Sequence, residues 1–271
     1  MMSTVASGVR NKSPLPTDRS QKLAIVIPAF REAGNIRELL ERIQRSVDPL
    51  GVPYEAIVVD DDSGDGIESL VKELSERDPR IRLLIRKNVR GLAGAIIHGW
   101  HHTDAGVLGV MDADLQHPPE LLPQLWQALQ SGADSVVASR YAPQSSRPNW
   151  NRFRHLVSQL AIWMARPLQN PAIRVWDPMS GFFLVRRPCI ETVQFQAEGF
   201  KILLEILARG RIRSVVEVPF TFGKRRAGKS KASPRVAIDY LRLLARLWRE
   251  RRGSHANVPV SDCVQSGADI L

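Results

Sequence analysis

Two carboxylates one residue apart, Asp112 and Asp114, directly follow the apolar run Val107–Met111. A short apolar run bounded by turn residues is typical of a buried strand in a mostly parallel sheet, whose carboxyl ends face the ligand crevice. Two acids there would repel each other and lose hydration unless a cation lay between them. The spacing therefore indicates a hard divalent cation that can bind phosphates, to which Gln116 could add a neutral oxygen. The pair alone fits a solvated acidic turn equally well, so the surrounding elements must decide.

A second acidic cluster follows the predicted strand 55–59. Four of the seven residues 60–66 are Asp. A capped turn that opens a helix at Ile67 accounts for Ser63 or Asp65 but not for all four acids, and carboxylates there could also accept hydrogen bonds from a nucleobase or from ribose hydroxyls. Two basic residues, Arg86 and Arg90, precede a helix start rich in small residues, where phosphates could bind. The Gly-Lys-Ser/Thr ending of a P-loop is missing there.

Strands alternate with helices at intervals of about thirty residues in the first half of the chain. The predicted strands are 23–28, 55–59, 80–85, 107–111 and 135–139. This alternation predicts successive βα units, and so an α/β fold with a mostly parallel sheet. Arg140 and Tyr141 follow the last of these strands and should therefore lie beside the same crevice. The pattern then changes, and the predicted elements are the helices 153–166 and 200–208 and the strands 182–185 and 215–222.

The net charge of +10 comes almost entirely from residues 222–252, which hold eleven Lys or Arg and two acids. Such a concentration indicates an anionic partner. A helix predicted at 234–253 places basic side chains on one face (Arg235, Arg242, Arg246, Arg249, with Asp239) and apolar ones on another (Val236, Tyr240, Leu243, Leu244, Leu247). This helix either packs on the domain with a solvated arginine face or lies on an anionic membrane surface.

The organisation along the chain indicates one domain with basic and polar ends. We expect a disordered leader, one α/β domain, the basic amphipathic helix and a disordered tail, at 1–21, 22–233, 234–253 and 254–271. The leader lacks the apolar centre of a signal peptide, and no uncharged apolar run reaches the roughly 18 residues that span a bilayer. Two widely separated cysteines fit a reducing compartment. We therefore expect a cytoplasmic protein without a transmembrane segment.

Three other classes of protein explain part of this pattern. A nucleic-acid binder explains the positive charge, but the acidic clusters would repel phosphate without a metal. A dinucleotide oxidoreductase would have a glycine-rich turn after the first strand, where this chain has Pro28–Glu32. A phosphatase-type hydrolase also uses Asp-x-Asp, although its nucleophilic Asp normally follows the first core strand.

Several motifs resemble those of the polyprenol-phosphate (dolichol-phosphate) mannosyltransferases, within the family 2 glycosyltransferases. They lie at 27–32, 59–63, 90–92, 111–120, 139–141, 177–183, 199–203 and 222–231. The resemblance covers about residues 22–250. The strand-end motifs are common to many glycosyltransferases, whereas the last three together are specific to this group.

The resemblance implies a GT-A fold, with a Rossmann-like sheet flanked by helices and C-terminal amphipathic helices. It implies inverting transfer of mannose from GDP-mannose to a polyprenyl phosphate with Mg²⁺ or Mn²⁺, at the inner face of a membrane. By position, the metal ligands would be Asp112, Asp114 and Gln116. The same three residues would line the donor pocket with Pro28, Phe30, Glu32, Val59, Asp61 and Ala113. The residues acting on phosphates at the reacting centre would be Arg140, Arg225 and Lys231, with Asp114, and the acceptor phosphate would meet Arg154 and Ser158.

One position departs from the family pattern, because Phe30 stands where Tyr is common. Phe30 keeps the aromatic stacking surface of a tyrosine but lacks the hydroxyl that would make a contact. A different nucleotide sugar such as UDP-glucose, or an acceptor that is not a lipid, is the open alternative. An integral-membrane protein partner also fits the resemblance, whereas a nucleic-acid partner does not.

Overall fold

The computed structural model describes residues 19–145, 152–195, 201–221, 223 and 234–256. Seven strands occur in this part of the chain: β1 Leu23–Ala29, β2 Tyr54–Asp60, β3 Ile81–Ile85, β4 Val107–Met111, β5 Ser135–Ser139, β6 Phe182–Arg186 and β7 Val215–Pro219. The α-helices are α1 Ala33–Val47, α2 Ile67–Arg77, α3 Leu92–His101, α4 Leu122–Gln130, α5 Arg152–Ala165, α6 Ile202–Arg209 and α7 Pro234–Ala256. The predicted βα alternation is therefore confirmed from β1 to β5.

The strands form one sheet in the order β3-β2-β1-β4-β6-β5-β7. All adjacent pairs are parallel except those of β6, which runs antiparallel between β4 and β5. The expectation of a mostly parallel sheet is confirmed. Because β6 is reversed, it begins beside the end of β4, with Phe182 opposite Met111. The loop before β6 therefore reaches the same edge as the Asp-x-Asp turn.

Apolar layers cover both faces of the sheet. Every residue of β1, β2, β4 and β5 is buried, as expected for strands packed on both sides. Helices α1, α2 and α4 contribute to the core on one face, and α3 and α6 to the core on the other. The chemistry-bearing loops are thus attached to a rigid support.

The basic helix α7 packs on the domain through part of its apolar side. Leu243, Leu244 and Leu247 are buried in a third cluster with residues of α5 and α6. The Tyr240 hydroxyl donates a hydrogen bond to the Ala161 carbonyl oxygen at 2.6 Å. Helix α7 ends at Ala256, so the predicted boundary at Gly253 is three residues short.

Other predicted boundaries also shift slightly. Strand β7 ends at Pro219 rather than at residue 222, and α6 begins at Ile202. The predicted leader (apart from residues 19–21) and the tail beyond residue 256 lie outside the described residues, so their disorder stays a prediction. None of the helices in the described ranges combines the length and apolarity that a membrane span requires.

Candidate active site at the carboxyl edge of the sheet

The Asp-x-Asp turn leaves β4 with an unusual backbone. Leu115 has a φ of 60°, in the left-handed region that residues other than glycine rarely adopt. The Asp114 carboxylate accepts a hydrogen bond from the Gln116 N–H at 3.1 Å, which fixes the turn. Asp114 is buried, whereas the Asp112 side chain is 31% exposed. Such local strain often accompanies a functional site.

Gly181 leaves the space that the Asp112 carboxylate occupies. A Cβ at position 181 would lie 2.3 Å from Asp112 Oδ2. On the other side, His117 Nδ1 is 3.7 Å from the same oxygen. Burial lowers the pKa of His117 to about 4, so the imidazole is neutral near pH 7. Asp112 is therefore confined by a small residue and an uncharged ring.

The chain after β7 contacts the same turn. The Gln116 amide nitrogen donates to the Gly223 carbonyl oxygen at 3.2 Å, and the Gly223 N–H donates to the Gln116 carbonyl oxygen at 2.9 Å. The side-chain oxygen of Gln116 is the amide atom with metal-ligand chemistry. The predicted phosphate-binding residues Arg225 and Lys231 follow Gly223 and lie outside the described residues.

The residues of the turn fit a hard divalent metal. Within the described ranges, no group of three or more His, Cys, Asp or Glu side chains is placed to hold an ion by itself. Mg²⁺ is commonly bound through one or two carboxylates, with water and substrate phosphates as its other ligands. Asp112, Asp114 and the Gln116 oxygen supply only oxygen ligands, and the Asp112 side chain is partly exposed. The donor set therefore suits Mg²⁺ or Mn²⁺ that is shared with a phosphate-bearing substrate.

The predicted donor-pocket residues gather where β1 and β2 end. Pro28 and Val59 are buried register partners, and Ala113 is buried at the neighbouring end of β4. The Arg90 guanidinium carbon lies over the Phe30 ring, 4.4 Å from its centroid, a cation–π contact. The Glu32 carboxylate accepts a hydrogen bond from Asn35 Nδ2 at 2.8 Å. The structure thus brings together an aromatic face, cations and carboxylates.

Three acids of the cluster at the end of β2, Asp60, Asp61 and Asp65, accept hydrogen bonds from other residues of the domain. Arg86 donates to the buried Asp61 carboxylate at 2.7 and 3.1 Å, and the Gly91 N–H donates to it at 2.8 Å. The Asp60 carboxylate accepts from the Ser63 N–H at 3.0 Å. Asp65 accepts N–H bonds from two residues of the adjoining helices, Ala33 and Ile67. The N-cap of α2 is Gly66, which has no side-chain cap, so the turn is held by the Asp60 and Asp65 hydrogen bonds, and Asp61 forms a buried ion pair.

Arg140 is held beside this edge by a residue from the loop before β6. Its Nε and Nη2 each donate to the Asp177 carboxylate at 2.7 Å, and its N–H donates to Asp177 Oδ2 at 3.1 Å. Burial would raise the pKa of Asp177, but the charge and hydrogen bonds of Arg140, with the charge of Lys201, together hold that pKa below its usual value. Arg140 is therefore charged and fixed in direction.

Two residues that sequence reasoning did not assign belong to this centre. Glu217 of β7 accepts the backbone N–H groups of Trp176 at 2.8 Å and Asp177 at 3.1 Å. Lys201, just before α6, has its pKa lowered by burial and by Arg140, while Asp112 and Asp177 oppose that effect. One acid inside the otherwise apolar strand 215–219 was the available signal for Glu217.

The predicted acceptor residues are only partly described. The Ser158 hydroxyl of α5 is 2.7 Å from the Tyr141 hydroxyl, so Ser158 lies next to the residue that follows Arg140. Arg154 lies one turn earlier on α5, and its side chain lies outside the described residues. The structure brings α5 to the active edge.

The mostly parallel sheet flanked by helices, with the carboxylate pair at its crevice, defines a GT-A-like α/β fold. Mannosyl-3-phosphoglycerate synthase from Rubrobacter xylanophilus matches with a TM-score of 0.65 at 16% identity, covering 93% of this chain and 83% of that chain. Glucosyl-3-phosphoglycerate synthase from Mycobacterium tuberculosis, solved with Mn²⁺ and UDP, matches with a TM-score of 0.63 at 19% identity, covering 86% and 80%. These likenesses show the fold.

Residues 24–193 match Glycosyl transferase family 2, and the chain belongs to this family. A dolichol-phosphate mannosyltransferase from Pyrococcus furiosus is 42% identical over 84% of this chain, which spans 64% of that relative. The Saccharomyces cerevisiae protein of the same name is 37% identical over 87% of this chain and 90% of its own length. Polyprenol monophosphomannose synthase from Mycolicibacterium smegmatis is 32% identical over 82% and 85%.

Proposed function

We propose that this glycosyltransferase transfers mannose from GDP-mannose to a polyprenyl monophosphate, with inversion, and requires Mg²⁺ or Mn²⁺. The observation that carries the proposal is that an archaeal, a yeast and a bacterial relative at 32–42% identity are named for this kind of synthesis. The carboxylate pair, the Phe30 ring and the fixed Arg140 supply matching chemistry at one edge of the sheet.

The donor would bind with its base near Phe30 and its phosphates near the Asp-x-Asp turn. Phe30 offers a flat face for a base, and Glu32 and Asp61 offer acceptors nearby. Asp112, Asp114 and the Gln116 oxygen would hold the metal. When bound, a metal of this kind neutralises the charge that develops on a leaving diphosphate.

Transfer makes few demands on acid–base chemistry. A lipid monophosphate is already anionic, so we assign no general base. Direct attack of its oxygen on the anomeric carbon forms the new bond as the bond to the diphosphate breaks, and configuration inverts. Arg140 presents fixed N–H donors toward the phosphates, and we propose that Arg225 and Lys231 add positive charge at the same centre. Arg154 and Ser158 are proposed to hold the acceptor phosphate.

We further propose that α5 and α7 contact the inner face of a membrane, where the acceptor resides. Trp163 on α5 is 67% exposed and Trp248 on α7 is 42% exposed. A groove of about 670 Å³ lies between these helices, and the residues that line it include Trp163, Trp248, Arg166 and Arg174. Indole rings beside arginines suit a membrane–water interface with anionic lipids.

The function is tested with a panel of labelled sugar nucleotides, Mn²⁺ and either polyprenyl phosphate or 3-phosphoglycerate. We expect label in the lipid phase with GDP-mannose, and none after chelation with EDTA. Preferred transfer from UDP-glucose, or transfer to 3-phosphoglycerate alone, would contradict the proposal and favour the alternative acceptor class.

A further inference from the structure

Glu217 holds the backbone of two consecutive residues in the loop before β6. Its position on β7 is opposite Val137 of β5, the strand that leads to Arg140. One carboxylate oxygen accepts the Trp176 N–H at 2.8 Å, and the other accepts the Asp177 N–H at 3.1 Å. Both oxygens are therefore used to fix one short stretch of backbone.

That stretch determines the direction of Arg140. The Asp177 side chain is fully buried and takes two side-chain hydrogen bonds and one backbone hydrogen bond from Arg140. A shift of the Trp176–Asp177 backbone would move this carboxylate, and the guanidinium would have to follow or lose its partner. A buried charge that loses its partner is costly, so the three residues move as one unit.

We propose that Glu217 is a positioning residue for the reaction: it does not touch substrate but fixes Arg140 through Asp177. This inference rests on the proposed role of Arg140 at the substrate phosphates. Burial raises the pKa of Glu217, although hydrogen bonds from the Trp176 N–H, the Ser139 hydroxyl and the Asp177 N–H oppose that effect. Glu217 is partly buried on β7, and the geometry of its two backbone hydrogen bonds carries the proposal.

Glu217→Gln is the sharpest single change. An amide of the same shape can accept one N–H, but its NH₂ group faces the second N–H as a donor against a donor. The Trp176–Asp177 backbone must then shift, and a displacement of about 1 Å in a catalytic group can cost about 10²-fold in rate. If Glu217 had only a structural role, its replacement would lower the stability of the protein without a specific effect through Arg140.

A double-mutant cycle with Arg140→Lys separates the two roles. We expect Glu217→Gln to lower kcat about 30-fold in the native background. In the Arg140→Lys background it should lower kcat less than about 3-fold, because the guanidinium group that Glu217→Gln would misplace is already absent. The matched control is Glu55→Gln. Glu55 is a buried acid at the opposite end of β2 that pairs with Lys22 and Arg82. We expect Glu55→Gln to change kcat by the same factor in the native and Arg140→Lys backgrounds.

The cycle uses the full chain and measures kcat with the sugar nucleotide and acceptor that the panel finds active. It is then repeated with the affinity for GDP in the presence of Mn²⁺ as the measured quantity. Equal Glu217→Gln factors in both backgrounds would overturn the positioning role, whichever sugar is transferred. A different preferred sugar would contradict the proposed function only. If Glu217→Gln does not fold, Glu217→Asp, which keeps the charge with a shorter reach, takes its place in the same cycle.

Discussion

Replacing Gly181 with alanine tests whether Asp112 must stay where the structure has it. The new Cβ would lie 2.3, 2.7 and 2.8 Å from Asp112 Oδ2, Cγ and Oδ1. Ordinary contacts between carbon and oxygen begin at about 3.3 Å. The carboxylate must therefore move by about 1 Å, and the φ of Gly181 lies outside the left-handed region, so the alanine adds no backbone strain of that kind.

The cost should fall on activity rather than on folding. A 1 Å displacement of a catalytic group can reduce the rate about 10²-fold, and metal affinity should fall with it. Because the Asp112 side chain is partly exposed, it can rotate away, and the loss of stability should stay near 1 kcal/mol, the low end for overpacking. For a chain of this size that corresponds to a fall of about 2–4 °C in Tm.

Two other glycines provide controls. At Gly99 a Cβ would lie 2.6 Å from Val26 Cγ1 inside the core, so Gly99→Ala should cost about 1–3 kcal/mol and leave the affinity for Mn²⁺ unchanged. At Gly34, in the first turn of α1, nothing lies within 4 Å, so Gly34→Ala should be neutral or slightly stabilising. The measurements are calorimetry of Mn²⁺ and GDP binding, transfer activity and thermal unfolding. Gly181→Ala with native metal affinity and rate would refute the reasoning.

Three further predictions follow from the site and the exposed helix face. Asp114→Asn should abolish transfer and greatly weaken metal-dependent binding of GDP-mannose, because one charge leaves the metal shell; near-native turnover would place the metal elsewhere. Arg154→Ala should raise the acceptor KM while calorimetry shows nearly unchanged donor affinity; an equal loss of donor affinity would contradict that assignment. The double variant Trp163→Ser, Trp248→Ser should sediment less with anionic liposomes at low salt than Val216→Ser, a control at a half-exposed apolar position on β7. Equal sedimentation would remove the indoles from the proposed membrane face.

The sequence predicted the elements that local chemistry determines. Helix α2 begins at Ile67 as predicted, strand β5 has its predicted boundaries, and the Asp-x-Asp turn follows β4 as the abrupt end of the apolar run indicated. Each of these elements depends on residues within a few positions of one another. Periodicity reports which face of an element is buried, and that is sufficient here.

The direction of β6 and the pairing of strands across the sheet could not be predicted from the sequence and are seen only in the folded structure. An apolar run at 182–185 predicts a strand, but nothing in its pattern shows that β6 runs antiparallel between β4 and β5. The Arg140–Asp177 pair joins residues 37 positions apart and exists only because β6 is reversed. The role of the acidic cluster after β2 was ambiguous for a related reason. The partner of Asp61 is Arg86, which follows the next strand β3 and is 25 positions away in sequence.

Helix α7 shows why the test of membrane contact should use side chains rather than truncation. Its apolar residues are divided between two tasks, because Leu243, Leu244 and Leu247 are buried against the domain while Leu241 and Trp248 face outward. The sequence offered these as alternatives, and the structure shows the packed one while leaving an apolar outer face. Truncation after Ser233 would uncover the third core cluster, at about 25 cal/mol for each Å² of apolar surface exposed. Lost liposome binding would then reflect unfolding as much as a lost contact surface, whereas the serine substitutions leave the buried leucines in place.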